Sequence, residues 1–267
     1  MNLYSRLAES FADRPEAPFA YLPDGSTMTY AELDARSAAF AGALRAAGVG
    51  LGDRVAVQAE KSPAMLLLYL GCLRVGAAFL PLNTAYTAGE LDYFMRDAEP
   101  SVFVCDPAAE ASVRTLAARC GVPRVETLGS DGLGSLAALT DTADQAFATV
   151  ERDDDDLAAI LYTSGTTGRS KGAMLSHGNL ASNALTLRDA WRFAADDVLL
   201  HALPIFHTHG LFVATNVTLA AGASMLFLPR FDLDAVLAAL PRATVMMGVP
   251  TFYIRLLGDP RFTPALL

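Results

Sequence analysis

No apolar stretch of this 267-residue chain reaches the roughly 18 residues that a membrane-spanning helix requires. The longest, Ala64 to Leu73, stops at Arg74, so no membrane span is expected. Positive charge is also short. Lys and Arg number 20 against 29 Asp and Glu, a net charge of −9. A nucleic-acid surface needs a basic stripe, which this balance argues against. Any anionic substrate must therefore be captured by local cations. Cysteine is scarce too. Cys72, Cys105 and Cys120 are odd in number, widely spaced and form no Cys-x-x-Cys pair; they read as reduced core thiols. The N-terminus carries Glu9 and Asp13 and has no continuous apolar segment. Neither a signal peptide nor a mitochondrial presequence is expected, and the expected compartment is the cytoplasm.

What the chain does have is apolar residues, 52% of the total, and enough length for two α/β units. Strand and helix patterns alternate. Ala20 to Tyr30 predicts a hairpin turning at Asp24-Gly25. Thr29 with Glu32, and Thr87 with Glu90, have capping-box spacing. Ser62-Pro63 predicts a helix start. Gly48-Val49-Gly50-Leu51-Gly52 follows a helix and precedes a strand, the reverse of a dinucleotide fingerprint, and predicts a C-cap turn instead. The alternation implies right-handed crossovers and mostly parallel sheets. The polar, acidic segment Asp141 to Asp156 is the expected linker, with Asp153 to Asp156 as a solvated charge run. The expected division is a first subdomain over 1–150 and a second over 151–267.

Residues Thr163 to Gly172 read Thr-Ser-Gly-Thr-Thr-Gly-Arg-Ser-Lys-Gly. The apolar run Leu157 to Tyr162 before them predicts a buried strand. Glycines let backbone N–H groups approach a ligand, hydroxyls add donors, and Arg169 and Lys171 add charge, which together suit a polyphosphate. The common phosphate loop needs Gly, four residues, then Gly-Lys-Ser/Thr. Here Ser170 stands where the second glycine would be. A short strand is predicted after Lys171, so the loop is expected to link two strands rather than open a helix.

Tyr162 to Gly172 matches, at each defined position, the Tyr-Thr-Ser-Gly-Thr-Thr-Gly-x-x-Lys-Gly signature of the adenylate-forming superfamily, which the chain resembles over nearly its whole length. Three further segments resemble the malonyl-CoA synthetase branch: Leu80-Pro81-Leu82-Asn83-Thr84-Ala85-Tyr86-Thr87, Phe206-His207-Thr208-His209-Gly210-Leu211 and Leu228-Pro229-Arg230-Phe231. The resemblance implies an α/β fold of two stacked, mostly parallel sheets flanked by helices. It implies ATP and coenzyme A as co-substrates, and malonate, with methylmalonate as a second candidate, as the acid. It implies that Thr163, Ser164, Gly165, Thr166, Thr167, Gly168 and Lys171 hold the β- and γ-phosphates, with Lys171 the leading residue. His207 is expected at the acyl pocket. Arg230 is expected to grip the second carboxylate of malonate, because burying that charge without a partner is costly and a guanidinium can offer two parallel hydrogen bonds. Gly248 to Thr251 is expected to line the same pocket.

His207 and His209 have the spacing of a metal pair, but no third ligand stands near them in sequence, and no metal site is expected there. His177 and His201 are expected to be structural. The resemblance also implies a magnesium-holding acidic motif, a ribose-gripping aspartate, a hinge and a small C-terminal lid domain with a lysine. No residue here matches them. The chain is expected to be the N-terminal portion of a longer enzyme, inactive by itself. The alternatives are a ligase for another carboxylic acid, a phosphate-loop NTPase or kinase, and a non-catalytic nucleotide-binding fragment.

Overall fold

The computed structural model describes residues 1–143, 146–163 and 169–266. In chain order the helices are α1 (Leu3–Ala8), α2 (Tyr30–Ala46), α3 (Pro63–Val75), α4 (Ala88–Ala98), α5 (Glu110–Cys120), α6 (Ser135–Thr140), α7 (His177–Trp191), α8 (Asn216–Ala221), α9 (Leu233–Ala239) and α10 (Pro250–Leu257). The strands are β1 (Pro18–Tyr21), β2 (Thr27–Thr29), β3 (Arg54–Gln58), β4 (Ala78–Pro81), β5 (Val102–Cys105), β6 (Arg124–Thr127), β7 (Leu157–Thr163), β8 (Lys171–Ser176), β9 (Val198–His201), β10 (Ser224–Phe227) and β11 (Val245–Met246). A π-helix, His209–Thr215, precedes α8.

The chain forms two compact units. One comprises Met1–Arg6 and Asp34–Ala181, the other Leu7–Leu33 and Ser182–Leu267. These units run across the boundary expected at residue 150, because β7 and β8 belong to the same sheet as the strands before the acidic segment.

The first unit carries a six-stranded sheet in the order β6-β5-β3-β4-β7-β8. Its first five strands are parallel, and β8 returns antiparallel to β7. Helix α3 explains why this sheet forms a core. It is apolar all round, and all its residues from Ala64 to Val75 are buried, as a helix without a polar face must be. Ser62 caps it by accepting from Met65 N–H at 3.2 Å. A Cβ on Gly71 would stand 2.8 Å from Phe40 Cβ, so glycine there permits the close approach of α2 and α3. Arg74 ends the apolar run without reaching solvent. Its guanidinium donates to Asp34 Oδ1 (2.7 Å), Ser37 Oγ (3.0 Å) and the Phe147 carbonyl (3.0 Å), and lies 4.4 Å from the Tyr4 ring centroid.

The acidic run is solvated as expected, with Asp153, Asp154 and Asp155 exposed, and two of its carboxylates also make ion pairs. The Asp154 carboxylate accepts from the Met1 amine (2.9 Å) and from Arg6 (3.3 Å). Asp156 pairs with Arg152 at 3.2 Å. The backbone carbonyls of Asp156 and Asp154 accept from His177 and Gly178 N–H at the start of α7. Asn2 donates to the carbonyls of Leu73 and Val150 at 2.7 and 2.9 Å, and Leu3 N–H donates to His177 Nδ1 at 3.0 Å. Asp154, the Leu73 and Val150 carbonyls and His177 thus hold the first residues of the chain.

The second unit carries a five-stranded sheet in the order β11-β9-β10-β1-β2, parallel except for the β1–β2 hairpin. The hairpin turns where expected, with Gly25 at φ +86° and the Asp24 side chain accepting from Ser26. Thr29 and Glu32 form their capping box at the start of α2. Tyr30 stacks on Phe11 at 4.3 Å and donates to the Ala223 carbonyl at 2.6 Å. Among the described residues no helix is long and apolar enough to cross a membrane.

Candidate functional site

In the first unit the candidate phosphate-binding segment joins two paired strands, as expected. β7 and β8 pair from Leu157↔Ser176 to Thr163↔Lys171. Thr163 ends a strand that runs parallel to β4, so the connection leaves from the carboxyl edge of the sheet, where ligands gather in such folds. Thr163 Oγ1 donates to the Lys171 carbonyl at 3.4 Å, and Lys171 is exposed. Ser164, Gly165, Thr166, Thr167 and Gly168 lie outside the described residues. The return of the chain as a strand departs from the strand–loop–helix arrangement of a phosphate-loop NTPase.

Helix α4 touches both arms of the hairpin. Its Thr87–Glu90 capping box is complete, with Glu90 Oε2 accepting from Thr87 N–H at 2.8 Å and Thr87 Oγ1 accepting from Glu90 N–H at 3.4 Å. Two side chains one turn apart then reach β7 and β8. Tyr162 Oη donates to Asp97 Oδ2 at 2.6 Å, and Tyr93 Oη donates to the Ser170 carbonyl at 2.9 Å. The Arg169 guanidinium lies 5.8 Å from the Tyr93 ring centroid. Tyr162 packs on Phe94 at 4.2 Å and edge-on to Tyr93 at 6.1 Å. Burial and the Asp97 carboxylate push the Tyr162 phenol up, so it stays protonated and remains a donor. The sequence reading missed Tyr93 and Asp97. The available signal was their i, i+4 spacing on a capped amphipathic helix, which does not name a partner.

In the second unit, β9, β10 and β11 run parallel, with Phe227 opposite His201 and Met246 opposite Leu200. Their carboxyl ends therefore open onto one edge. His207 follows β9, Arg230 follows β10, and Gly248 to Thr251 follows β11. The structure thus gathers these three segments at one edge of one sheet. His207 and Arg230 are both exposed, and Arg230 has no ion-pair partner among the described residues. The His207 ring meets Phe206 edge-on at 4.6 Å, and desolvation holds its pKa below the ordinary value.

A helix begins at His209 with π geometry over His209–Thr215. Buried His201 lies against it. Its Nε2 lies 2.9 Å from the Gly210 carbonyl and 3.3 Å from Thr215 Oγ1. A Cβ on Gly210 would stand 2.0 Å from the Pro204 carbonyl oxygen, so only glycine fits under the turn that carries His207. His201 is structural as expected. So is His177, fully buried against Leu3 N–H.

Among the described residues no group of three His, Cys, Asp or Glu side chains could hold a metal ion.

The family model for AMP-binding enzymes matches residues 7–265. A feruloyl-CoA synthase of Amycolatopsis is 38% identical over 245 residues, covering 90% of this chain and 47% of the relative. The mitochondrial malonate–CoA ligase of Mus musculus is 32% identical over 268 residues, covering 96% and 45%. The crystal structure of ATP-bound MatB from Rhodopseudomonas palustris is 58% identical with a TM-score of 0.96, covering 99% of this chain and 52% of that one. The chain spans about half the length of the relatives it matches.

Proposed function

Since this chain belongs to the AMP-binding enzyme family, we propose that it supplies the phosphate-gripping and acid-gripping parts of an ATP-dependent acid–CoA ligase, with malonate as the acid. A carboxylate is a poor acyl donor because its oxygen leaves badly. Joining it to AMP removes that obstacle. A carboxylate oxygen attacks the α-phosphorus of ATP, the bond from that phosphorus to the bridging oxygen breaks, and pyrophosphate leaves. The thiol of coenzyme A, as thiolate, then attacks the acyl carbon and expels AMP. The protein mainly positions the reactants and offsets charge as it moves.

Within this scheme Lys171 and the Thr163–Gly168 segment take the charge of the departing pyrophosphate. His207 donates a hydrogen bond to the reacting carboxylate and orients it. Arg230 takes the carboxylate that does not react. The observation that carries the acid assignment is a guanidinium without an ion-pair partner among the described residues, just past the end of an apolar strand whose four residues are buried. Two relatives named malonate–CoA ligases support it. The feruloyl-CoA synthase relative favours a monoacid instead.

The deciding experiment measures acid-dependent pyrophosphate release by the protein that carries this segment, over mono- and dicarboxylates, with Arg230→Leu alongside. A charge-assisted hydrogen bond contributes ~1.5–3 kcal/mol, so the KM for malonate should rise about tenfold or more. Unchanged malonate kinetics in the variant, or no AMP and pyrophosphate formed with any acid, refutes the assignment.

A further inference from the structure

We propose that Tyr93 and Asp97, on one face of α4, are positioning residues of the nucleotide-tail site, fastening the two arms of the β7–β8 hairpin so that Lys171 is presented to the phosphates from a fixed base. The inference rests on the phosphate-binding assignment of Lys171 above. Its geometry is independent of that assignment. Tyr162 and Ser170 stand on opposite arms, each next to the residues that leave or re-enter the sheet. Each arm is held by one hydrogen bond to α4, at 2.6 Å through Asp97 and 2.9 Å through Tyr93.

The two fastenings differ in kind. The phenol–carboxylate bond is charge-assisted and therefore the stronger. The second ends on a backbone carbonyl, so it fixes the path of the chain entering Lys171 whatever side chain stands at 170. The aromatic packing of Tyr93, Phe94 and Tyr162 keeps α4 seated beneath the hairpin. Removing a hydroxyl alone keeps that packing, which separates positioning from folding. Lys171 gains from this only if a strongly charged ligand needs its ammonium in one place, as a polyphosphate does.

The chain contains two lysines, Lys61 and Lys171. Lys61 is buried and Lys171 exposed, so an amine-reactive ester read by peptide mass spectrometry reports on Lys171, with Lys61 as an internal control for intact folding. ATP and inorganic pyrophosphate should each slow labelling of Lys171. In Tyr93→Phe and Asp97→Asn, the ligand concentration giving half protection should rise roughly threefold to tenfold, the range set by one lost hydrogen bond. Tyr162→Phe combined with Asp97→Asn should cost little more than either alone, because both break the same bond. In the enzyme that carries this segment, KM for ATP should rise while KM for the acid and kcat hold. Wild-type protection that survives unchanged in both single variants, while Lys171→Ala weakens ATP binding, overturns the positioning role and leaves the phosphate assignment intact. No protection of wild-type Lys171 by either ligand overturns both.

Discussion

His177 makes the fold sensitive to acid in a way that can be isolated. Its ring is fully buried. Nδ1 accepts from Leu3 N–H, and Nε2 has no hydrogen-bond partner. Desolvation and then Arg152 lower its pKa to about 4, with the Met1 amine acting in the same direction, while Asp156 and Asp154 oppose them. The ordinary value is 6.5. Because the folded value lies below the unfolded one, unfolding takes up a proton between these limits. The contribution of the neutral ring is fully present above about pH 6.5 and is lost as pH falls to about 4. That gap is worth about 3 kcal/mol. Protonation also sets a ring N–H against the N–H of Leu3, so the first residues of the chain should detach. The perturbation is His177→Asn, whose side-chain oxygen can still accept from Leu3 N–H. Urea unfolding of both proteins at intervals from pH 7 to pH 4 gives the comparison. Wild type should lose about 3 kcal/mol more than the variant across that range, and exchange of the Leu3 amide should quicken as it does so. Parallel profiles for the two proteins would refute the reasoning, since every other titrating group is shared.

Three further outcomes follow from particular contacts. Lys171→Ala should weaken ATP and pyrophosphate binding by about tenfold or more in titration calorimetry, because a charge-assisted contact of ~1.5–3 kcal/mol is lost; Lys171→Arg should recover part of it. Gly210→Ala should lower stability by about 1–3 kcal/mol, the range for overpacking a tight site, and raise KM for the acid by shifting the turn that carries His207. Arg74→Met should cost about 3 kcal/mol in chemical unfolding, since it abandons the Phe147 carbonyl and Ser37. Asp34→Asn should cost under about 1 kcal/mol, because the Asp34 side chain is 56% exposed and solvent screens the pair.

Much of this architecture was legible in the sequence where a local signal has a local cause. The caps at Thr29, Ser62 and Thr87, the turn at Asp24-Gly25 and the strand on each side of the 164–170 connection all formed as expected. Family membership followed from the same signature. The misses lie where distant residues decide. Helices α1 and α6 have six residues each, too few for periodicity to declare them. The apolar stretch Ala243 to Val249 pairs only at Val245–Met246. The acidic run read correctly as solvated, but the pairing of Asp154 was not legible, because its partners Met1 and Arg6 are 153 and 148 residues away. The π geometry after His209 comes with close contacts to His201 and to the Pro204 carbonyl, neither of which changes the helical pattern read from sequence. Arg230 and His207 were named through resemblance, and the parallel order of β11, β9 and β10 gives their grouping a physical basis.

The π-helix has one more consequence. Its hydrogen bonds skip one residue further than those of an ordinary helix, so the segment His209–Thr215 stores a spare residue. Deleting one position among 211–214 would use up that spare residue and tighten the coil to normal pitch, which changes where the helix takes over from the stretch just upstream, the one that bears the imidazole. Chain length here is therefore a tuning screw: a single codon gained or lost could reset how far that ring reaches toward an incoming acid while the sheet beneath it keeps its order.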